Sequence, residues 1–329
     1  MMRFSKDSFD SFVQFVRQGL EAWYAEQGAV YADVESTLTE ARLFGLYKHL
    51  DEHYFSFEIP KKSGGKRLIE APSPLLKTVQ RGIMKKLEGL FSPESPAHGF
   101  ARQRNILSNA QPHVGAAWVL NVDIEGFFPS ITKGRVFMSL QLAPLFLEPQ
   151  LAFIIAQFCT RNGRLPQGAP TSPILTNLIA MRLDRRFKNL SGQFGCEYTR
   201  YADDLSFSGP SRQRMLNLFE MIQKIISDES FALNKSKTRI LGASMRQEVT
   251  GLTSNEMPNA GRKYRRKTRA MLHFWSTRGV AAAAAINGFE SAEKFKNSLQ
   301  GRILFIRSIC RSAESSRMLE TFNRLAQTS

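Results

Sequence analysis

The chain has 329 residues, 43% of them hydrophobic and 25 of them Phe, which is enough for a sizeable core and excludes disordered, collagenous and low-complexity classes. Lys and Arg outnumber Asp and Glu by 45 to 29, a formal charge of +16. That surplus implies a polyanionic partner, nucleic acid before an acidic membrane.

Cys159, Cys196 and Cys310 form no CxxC pair, which excludes a disulfide framework and a zinc site of common spacing. No apolar run approaches the length of a membrane span. Asp7 and Asp10 fall where a signal peptide needs an apolar core. A cytoplasmic protein with no membrane partner is expected.

Residues 7–58 read mostly as helix, with Phe9, Phe12, Val13, Val16 and Leu20 at near-helical spacing. Gly28 is a break, and 33–47 reads as a second helix capped by Thr37 or Thr39. The chain changes character at Phe57. FEIPKKSGGKRLIEAP predicts strand, turn and strand, with Ser63-Gly64-Gly65 at the tip. Lys61, Lys62, Lys66 and Arg67 surround that tip, where glycine lets backbone approach phosphates. Taken alone, the same residues also suit an ordinary solvated turn.

Residues 75–90 predict a helix opening behind Pro74. Residues 118–124 predict a buried strand with a sharp exit through Glu125-Gly126-Phe127-Phe128-Pro129. A helix over 151–159, a Pro- and Gly-rich loop over 165–173 and a helix over 174–187 follow. Two short strands over 197–208 join around Ala202-Asp203-Asp204. An amphipathic helix over 214–227 and short strands over 237–241 and 248–252 come next, and everything beyond Met257 reads as helical and basic. The strand–helix–strand–strand–helix–strand order over 118–252 is compatible with a ferredoxin-like sheet backed by helices. That fold alone does not specify a function.

The chemistry lies in carboxylates at strand ends. Asp123 follows the apolar run Trp118-Val119-Leu120, and Asp203-Asp204 sits between β-forming segments in YADDLSF. Adjacent carboxylates repel and call for cations. Mg²⁺ suits them, since it takes oxygen ligands and is usually held by one or two carboxylates plus substrate phosphates. Two such ions can serve phosphoryl transfer; Mn²⁺ is the alternative metal.

With these residues in view, the chain resembles a reverse transcriptase. YADD at 201–204 is similar to the palm hairpin motif and NVDIEGFFPSI at 121–131 to the other metal-binding strand. LPQGAPTSPILTN at 165–177 is similar to the loop and helix beneath the incoming nucleotide. LNKSKT at 233–238 and VTGL at 249–252 resemble the segments that follow in the family. Asn109-Ala110-Gln111-Pro112-His113 fits the NAxxH pattern, and Val249-Thr250-Gly251 the VTG string, of retron reverse transcriptases.

The resemblance implies roles. Asp123, Asp203 and Asp204 are the metal ligands and Ile124 brings its backbone carbonyl. Phe128 is the ring that blocks a ribonucleotide 2′-OH, against the reading of a core phenylalanine, since strand alternation turns one of the pair Phe127 and Phe128 inward. Gln167 and Gly168 touch nucleotide and template, while Lys61, Lys62 and Arg67 meet the triphosphate. Lys237, with Lys235 as competitor, protonates pyrophosphate. Tyr201 positions the primer end or is a half-buried strand tyrosine. Asn109 and His113 are structural or RNA-contacting, and His98-Gly99-Phe100 is a packed turn under the fingers.

Residues 262–324 hold 14 Lys and Arg against four Glu. Arg262, Lys263, Tyr264, Arg265, Arg266, Lys267 and Arg269 make its densest part, read as a thumb helix gripping RNA or hybrid duplex through phosphates.

The expected fold is α+β, a right-hand polymerase with a ferredoxin-like palm. It divides into an N-terminal helical section (1–56), fingers (57–112), first part of the palm (113–139), connection and nucleotide loop (140–175), second part of the palm (176–255) and basic helical thumb (256–329). The implied activity is RNA-directed DNA synthesis from dNTPs. It starts at an RNA 2′-OH of the protein's own structured non-coding RNA and gives branched RNA–DNA. The resemblance further implies a separate effector protein and a role against bacteriophage. Template removal is expected from a host ribonuclease H, because little chain follows the thumb. The alternatives are a group II intron-like or other cellular reverse transcriptase, an RNA-templated RNA polymerase, or an RNA-binding scaffold without catalysis.

Overall fold

A computed structural model of the chain describes residues 5–28, 38–61 and 64–327. Helix α1 (Lys6–Glu26) opens with the Ser5 side chain accepting from the Ser8 backbone N–H at 3.2 Å, and the predicted apolar stripe, including Phe12, Val16 and Leu20, is buried. Helix α2 (Glu40–Lys48) is capped by Thr39, one of the two candidates. Thr37, with the earlier part of the predicted second helix, lies outside the described residues.

The helical section ends sooner than expected, because strand β1 (Tyr54–Pro60) begins three residues before Phe57. It pairs antiparallel with β2 (Lys66–Pro72). Exposed polar residues alternate with aromatics here, a period of two that the helical reading passed over. Helix α3 (Pro74–Leu90) packs against α1, and Phe12 stacks on Phe158 with ring centroids 4.6 Å apart.

After α4 (Ile106–Ala110) comes the central strand β3 (Trp118–Glu125). The chain then turns through left-handed Gly126 into α5 (Phe127–Ser130), continues through α6 (Lys133–Gln141) and α7 (Pro149–Cys159), and reaches the long α8 (Ser172–Gln193). Strands β4 (Glu197–Tyr201) and β5 (Asp204–Gly209), helix α9 (Arg212–Asp228) and strands β6 (Ala232–Leu233) and β7 (Arg239–Gly242) complete the sheet.

All its pairings are antiparallel. Order runs β4, β5, β3, with β7 and β6 sharing the far edge of β3. Setting aside the short β6, strands β3, β4, β5 and β7 with α8 and α9 between them have the expected ferredoxin-like connectivity. One apolar cluster runs from Phe9 in α1 through β3 and α8 to Phe231, so the first helix and the sheet share a core.

The segment expected as one strand over 248–252 is instead a tight hairpin of β8 (Glu248–Val249) and β9 (Leu252–Thr253), joined to β10 (Asn259–Ala260). Its loop is Thr250-Gly251, with φ of 48° and 80°. Two consecutive left-handed residues are the signature of the type I′ turn that joins strands of native twist.

Beyond β10 the expectation of helix holds. Helix α10 (Arg262–Ile286) breaks at Gly279, and α11 (Ala292–Ile309) and α12 (Ala313–Gln327) fold beside it. These helices build a second cluster around Trp275, Phe295 and Phe322.

Candidate active site

Strand pairing brings the three carboxylates together. Asp123 faces Asp204 directly across β3 and β5, and the Ile124 N–H donates to the Asp203 carbonyl at 3.0 Å. The β4–β5 hairpin closes through two residues, Ala202 and Asp203, with Ala202 held at a left-handed φ of 57°. Asp123 is buried, as is the Ile124 side chain. Burial, then the Asp123 charge, raises the Asp203 pKa. Burial together with the charges of Asp203 and Asp123 pushes Asp204 up to about 7. Crowded carboxyls, with Asp203 and Asp204 shifted toward their protonated forms, are a donor set short of positive charge.

Lys237 supplies part of that charge. Its Nζ lies 2.7 Å from Asp123 Oδ2, and this hydrogen bond raises its own pKa. Among the described residues no three acidic, His or Cys side chains form a ready-made metal cage. Proximity of the three is present; a closed cage is not. Hard oxygen ligands, with Asp203 and Asp204 raised in pKa, nonetheless fit Mg²⁺, which usually completes its shell with water and substrate phosphate. A cleft of about 630 Å³ opens here, lined among others by Asp123, Tyr201, Asp204, Lys237 and Arg239. Lys235, the competitor, makes no ion pair among the described residues.

The nucleotide-side residues are brought to the same region. Arg67 on β2 is near enough for its charge to act on Asp203. Lys61 is exposed at the hairpin end, where its N–H donates to the Gly65 carbonyl at 3.0 Å. Lys62 lies outside the described residues. The Gln167 carbonyl accepts from the Glu70 N–H at 2.9 Å, so the 165–171 loop runs along the β2 edge. Gly168 is obligatory there: its φ is +139°, and a Cβ would stand 2.8 Å from the Glu70 carbonyl oxygen. Phe128 is half-buried and Phe127 fully so. The expected inward and outward split occurs, but a single helical turn makes it, not strand alternation.

Beneath the carboxylates lies a network that sequence reasoning missed. Arg200 and Asp184 are both fully buried and form a two-pronged pair, Nη2 to Oδ2 at 2.7 Å and Nε to Oδ1 at 2.8 Å. The Tyr198 hydroxyl donates to the same carboxylate at 2.9 Å. Arg200 also donates to Asn177 Oδ1 at 3.1 Å and to the Ala202 carbonyl at 3.2 Å, so it holds the Ala202–Asp203 turn from below. A signal was present. Asn177 and Asp184 are seven residues apart on one face of α8, and Arg200 shares strand parity with the buried Tyr198. The turn is clamped from the other side by residues 97–100. The His98 N–H donates to the Arg200 carbonyl at 2.7 Å, and a Cβ on Gly99 would come within 2.4 Å of the Ala202 nitrogen.

His113 and Asn109 are fully buried, so of the two readings, structural or RNA-contacting, the second is corrected: neither side chain has surface to offer. Thr199 Oγ1 donates to the Asn109 carbonyl at 3.1 Å, so it accepts from His113 Nε2 at 2.8 Å, and His113 Nδ1 accepts from Ser208 at 2.8 Å. Asn109 Nδ2 reaches Thr250 Oγ1 at 3.4 Å. The NAxxH and VTG strings thus meet in space.

Burial lowers the His113 pKa to about 4. The unfolded chain therefore binds protons that the fold does not, and His113 favours the fold above its unfolded pKa of about 6.5, a contribution lost as pH falls. Asp204, raised to about 7, acts in the opposite sense. The test is therefore a difference. Urea unfolding of wild type should lose about 2 kcal/mol more than His113→Asn between pH 6.5 and 5. Parallel pH profiles would disprove the assignment.

On α10, Arg262, Lys263, Arg266 and Lys267 are exposed, and no ion pair engages them among the described residues. Arg265 and Arg269 both pair with Glu314, at 2.9 and 3.2 Å, and Tyr264 packs on Phe305 under Arg302. The seven expected RNA contacts thus divide into four outward cations and three residues engaged within the helical bundle.

Residues 59–259 match the family model described as reverse transcriptase (RNA-dependent DNA polymerase). The chain is 35% identical over 288 residues to the retron Mx65 reverse transcriptase of Myxococcus xanthus, covering 82% of this chain and 67% of that one. It is 36% identical over 226 residues to the retron Ec86 reverse transcriptase of Escherichia coli, covering 68% and 70%. Likeness to a solved foamy viral protease-reverse transcriptase is looser, with a TM-score of 0.48 at 15% identity, covering 84% of this chain and 39% of that one. No described helix is long and apolar enough to cross a membrane. The sequence relatives, and a sheet that sets two carboxylate-bearing strand ends side by side, place the chain in the reverse transcriptases, as an RNA-directed DNA polymerase of the retron type.

Proposed function

We propose that this polymerase copies part of its own structured non-coding RNA into branched single-stranded DNA, beginning at an RNA 2′-OH. The observation that carries the reading is the direct pairing of Asp123 with Asp204 at the mouth of a cleft. Asp123, Asp203 and Asp204 would hold two Mg²⁺ ions. Ions held there would supply Lewis acidity for the attacking hydroxyl and for the leaving oxygen.

This chain's own residues do the rest. Arg67, with Lys61 or Lys62, binds the triphosphate, its fork matched to phosphate oxygens. Gln167 and Gly168 support base and template, and Phe128 excludes a 2′-OH. The primer hydroxyl loses its proton to solvent and its oxygen bonds to the α-phosphorus of a dNTP, while the bond from that phosphorus to the bridging oxygen breaks and pyrophosphate leaves. Lys237 gives its proton to the departing pyrophosphate. The outward cations Arg262, Lys263, Arg266 and Lys267 grip phosphates of the duplex.

The division into fingers, palm and thumb at the boundaries read from sequence belongs to the same proposal. So do the partners: a host ribonuclease H, a separate effector and a setting in antiphage defence.

Nucleic acid that co-purifies with the protein, expressed with its neighbouring genomic sequence, tests the reading. Sequencing with and without debranching enzyme should return single-stranded DNA joined to RNA through a 2′ linkage. Linear DNA alone would refute 2′-OH priming, and intron RNA would move the protein to another kind of reverse transcriptase.

A further inference from the structure

Phe100 is an expensive residue for its position. It is 48% exposed and holds a left-handed φ of 57°, which a bulky side chain rarely adopts. Its backbone is nevertheless fixed. Asn177 Nδ2 donates to the Gly99 and Phe100 carbonyls at 3.0 and 3.2 Å, and the same amide accepts from Arg200, which holds the catalytic turn. The Phe100 backbone, and so the point from which its ring springs, therefore has a set position relative to the turn that carries Asp203. The ring lies beside Phe128, with ring centroids 6.1 Å apart and planes tilted by 56°, within the range of attractive aromatic pairs. Phe128 also meets the buried Phe127 at 6.1 Å, and Phe127 in turn packs on Phe231 at 5.5 Å.

A ring that rejects one oxygen atom works only if it does not yield. A half-buried phenylalanine can change rotamer at small cost, and the clash that should exclude a ribose would then be relieved by motion. Phe127 blocks retreat on the inner side. The geometry points to Phe100 as the outer stop: a positioning residue that braces the Phe128 ring and sharpens selection of deoxyribose over ribose. This rests on the reading of Phe128 as the sugar gate, and it gives a use to an aromatic side chain at a strained, solvent-facing position.

The test is the ratio of kcat/KM for dGTP to that for GTP on an RNA template, with thermal melts to verify folding. Phe128→Ala should relax selectivity most. Phe100→Ala should relax it by about two- to tenfold, the factor carried by an aromatic pair, through improved use of GTP. Phe100→Leu, which keeps apolar bulk without the flat ring, is the second arm and should relax it in the same direction. Phe100→Tyr should restore it. The double variant Phe100→Ala/Phe128→Ala should be no less selective than Phe128→Ala alone, because the brace acts only through the gate. Relaxation by Phe128→Ala with none by Phe100→Ala or Phe100→Leu would overturn the brace and leave the gate standing. Full selectivity in Phe128→Ala would overturn the gate and the brace together.

Discussion

Asp203→Asn should lose RNA-templated dNTP incorporation by at least about a thousandfold, because it removes a metal-binding charge from the two-ion site while keeping shape. The same substitution should not lower the thermal midpoint of the metal-free protein. Burial and the neighbouring Asp123 charge already raise the Asp203 pKa, so its ionised form opposes folding at neutral pH. A neutral isostere relieves that opposition. Lost catalysis with equal or greater stability separates a functional carboxylate from a structural one. Incorporation within tenfold of wild type would end the proposed chemistry. The stabilising response of the wild type to millimolar Mg²⁺, expected because the ion binds only the folded site, should shrink in the variant.

The second large effect concerns stability. Arg200→Met or Asp184→Leu alone should cost about 3–5 kcal/mol in urea unfolding, because each strands a charge that is fully buried. Combining them should recover much of that loss, since an apolar pair of similar volume removes both charges. Activity should not return with stability. The double variant still lacks the donor to the Ala202 carbonyl and the bond to Asn177 that hold the catalytic turn and the Gly99–Phe100 carbonyls in one frame. Full polymerisation by a stable double variant would show that the network supports only the fold.

What could be read from the residues, and what could not, has a physical cause. Asp123 and Asp203-Asp204 stand at the ends of apolar runs with strand alternation, a local pattern, so their pairing was foreseeable. The β8–β9 hairpin was not, because strands of two residues are too short to show a period and the turn depends on backbone angles at Thr250 and Gly251. Arg200 and Asp184 escaped notice because charged residues are expected outside, and only the fold shows each the other. Asn109 and His113 were singled out by their strings, yet their burial depends on β4, β5 and the distant Thr250. Phe100 looked like part of a packed turn; its ring is instead half in solvent.

The two apolar clusters carry a last implication. The opening helix is continuous with the interior of the sheet, whereas the three terminal helices close mainly around an interior of their own and meet the sheet through Phe305 and Ile309, which pack on a small cluster of Ala110, Val119, Val249 and Leu252. The outward cations Arg262, Lys263, Arg266 and Lys267 belong to neither cluster, so exchanging them removes no side chain from the interior beneath the carboxylate turn. The grip on a polyanion can thus be retuned at those four positions at little cost to the fold.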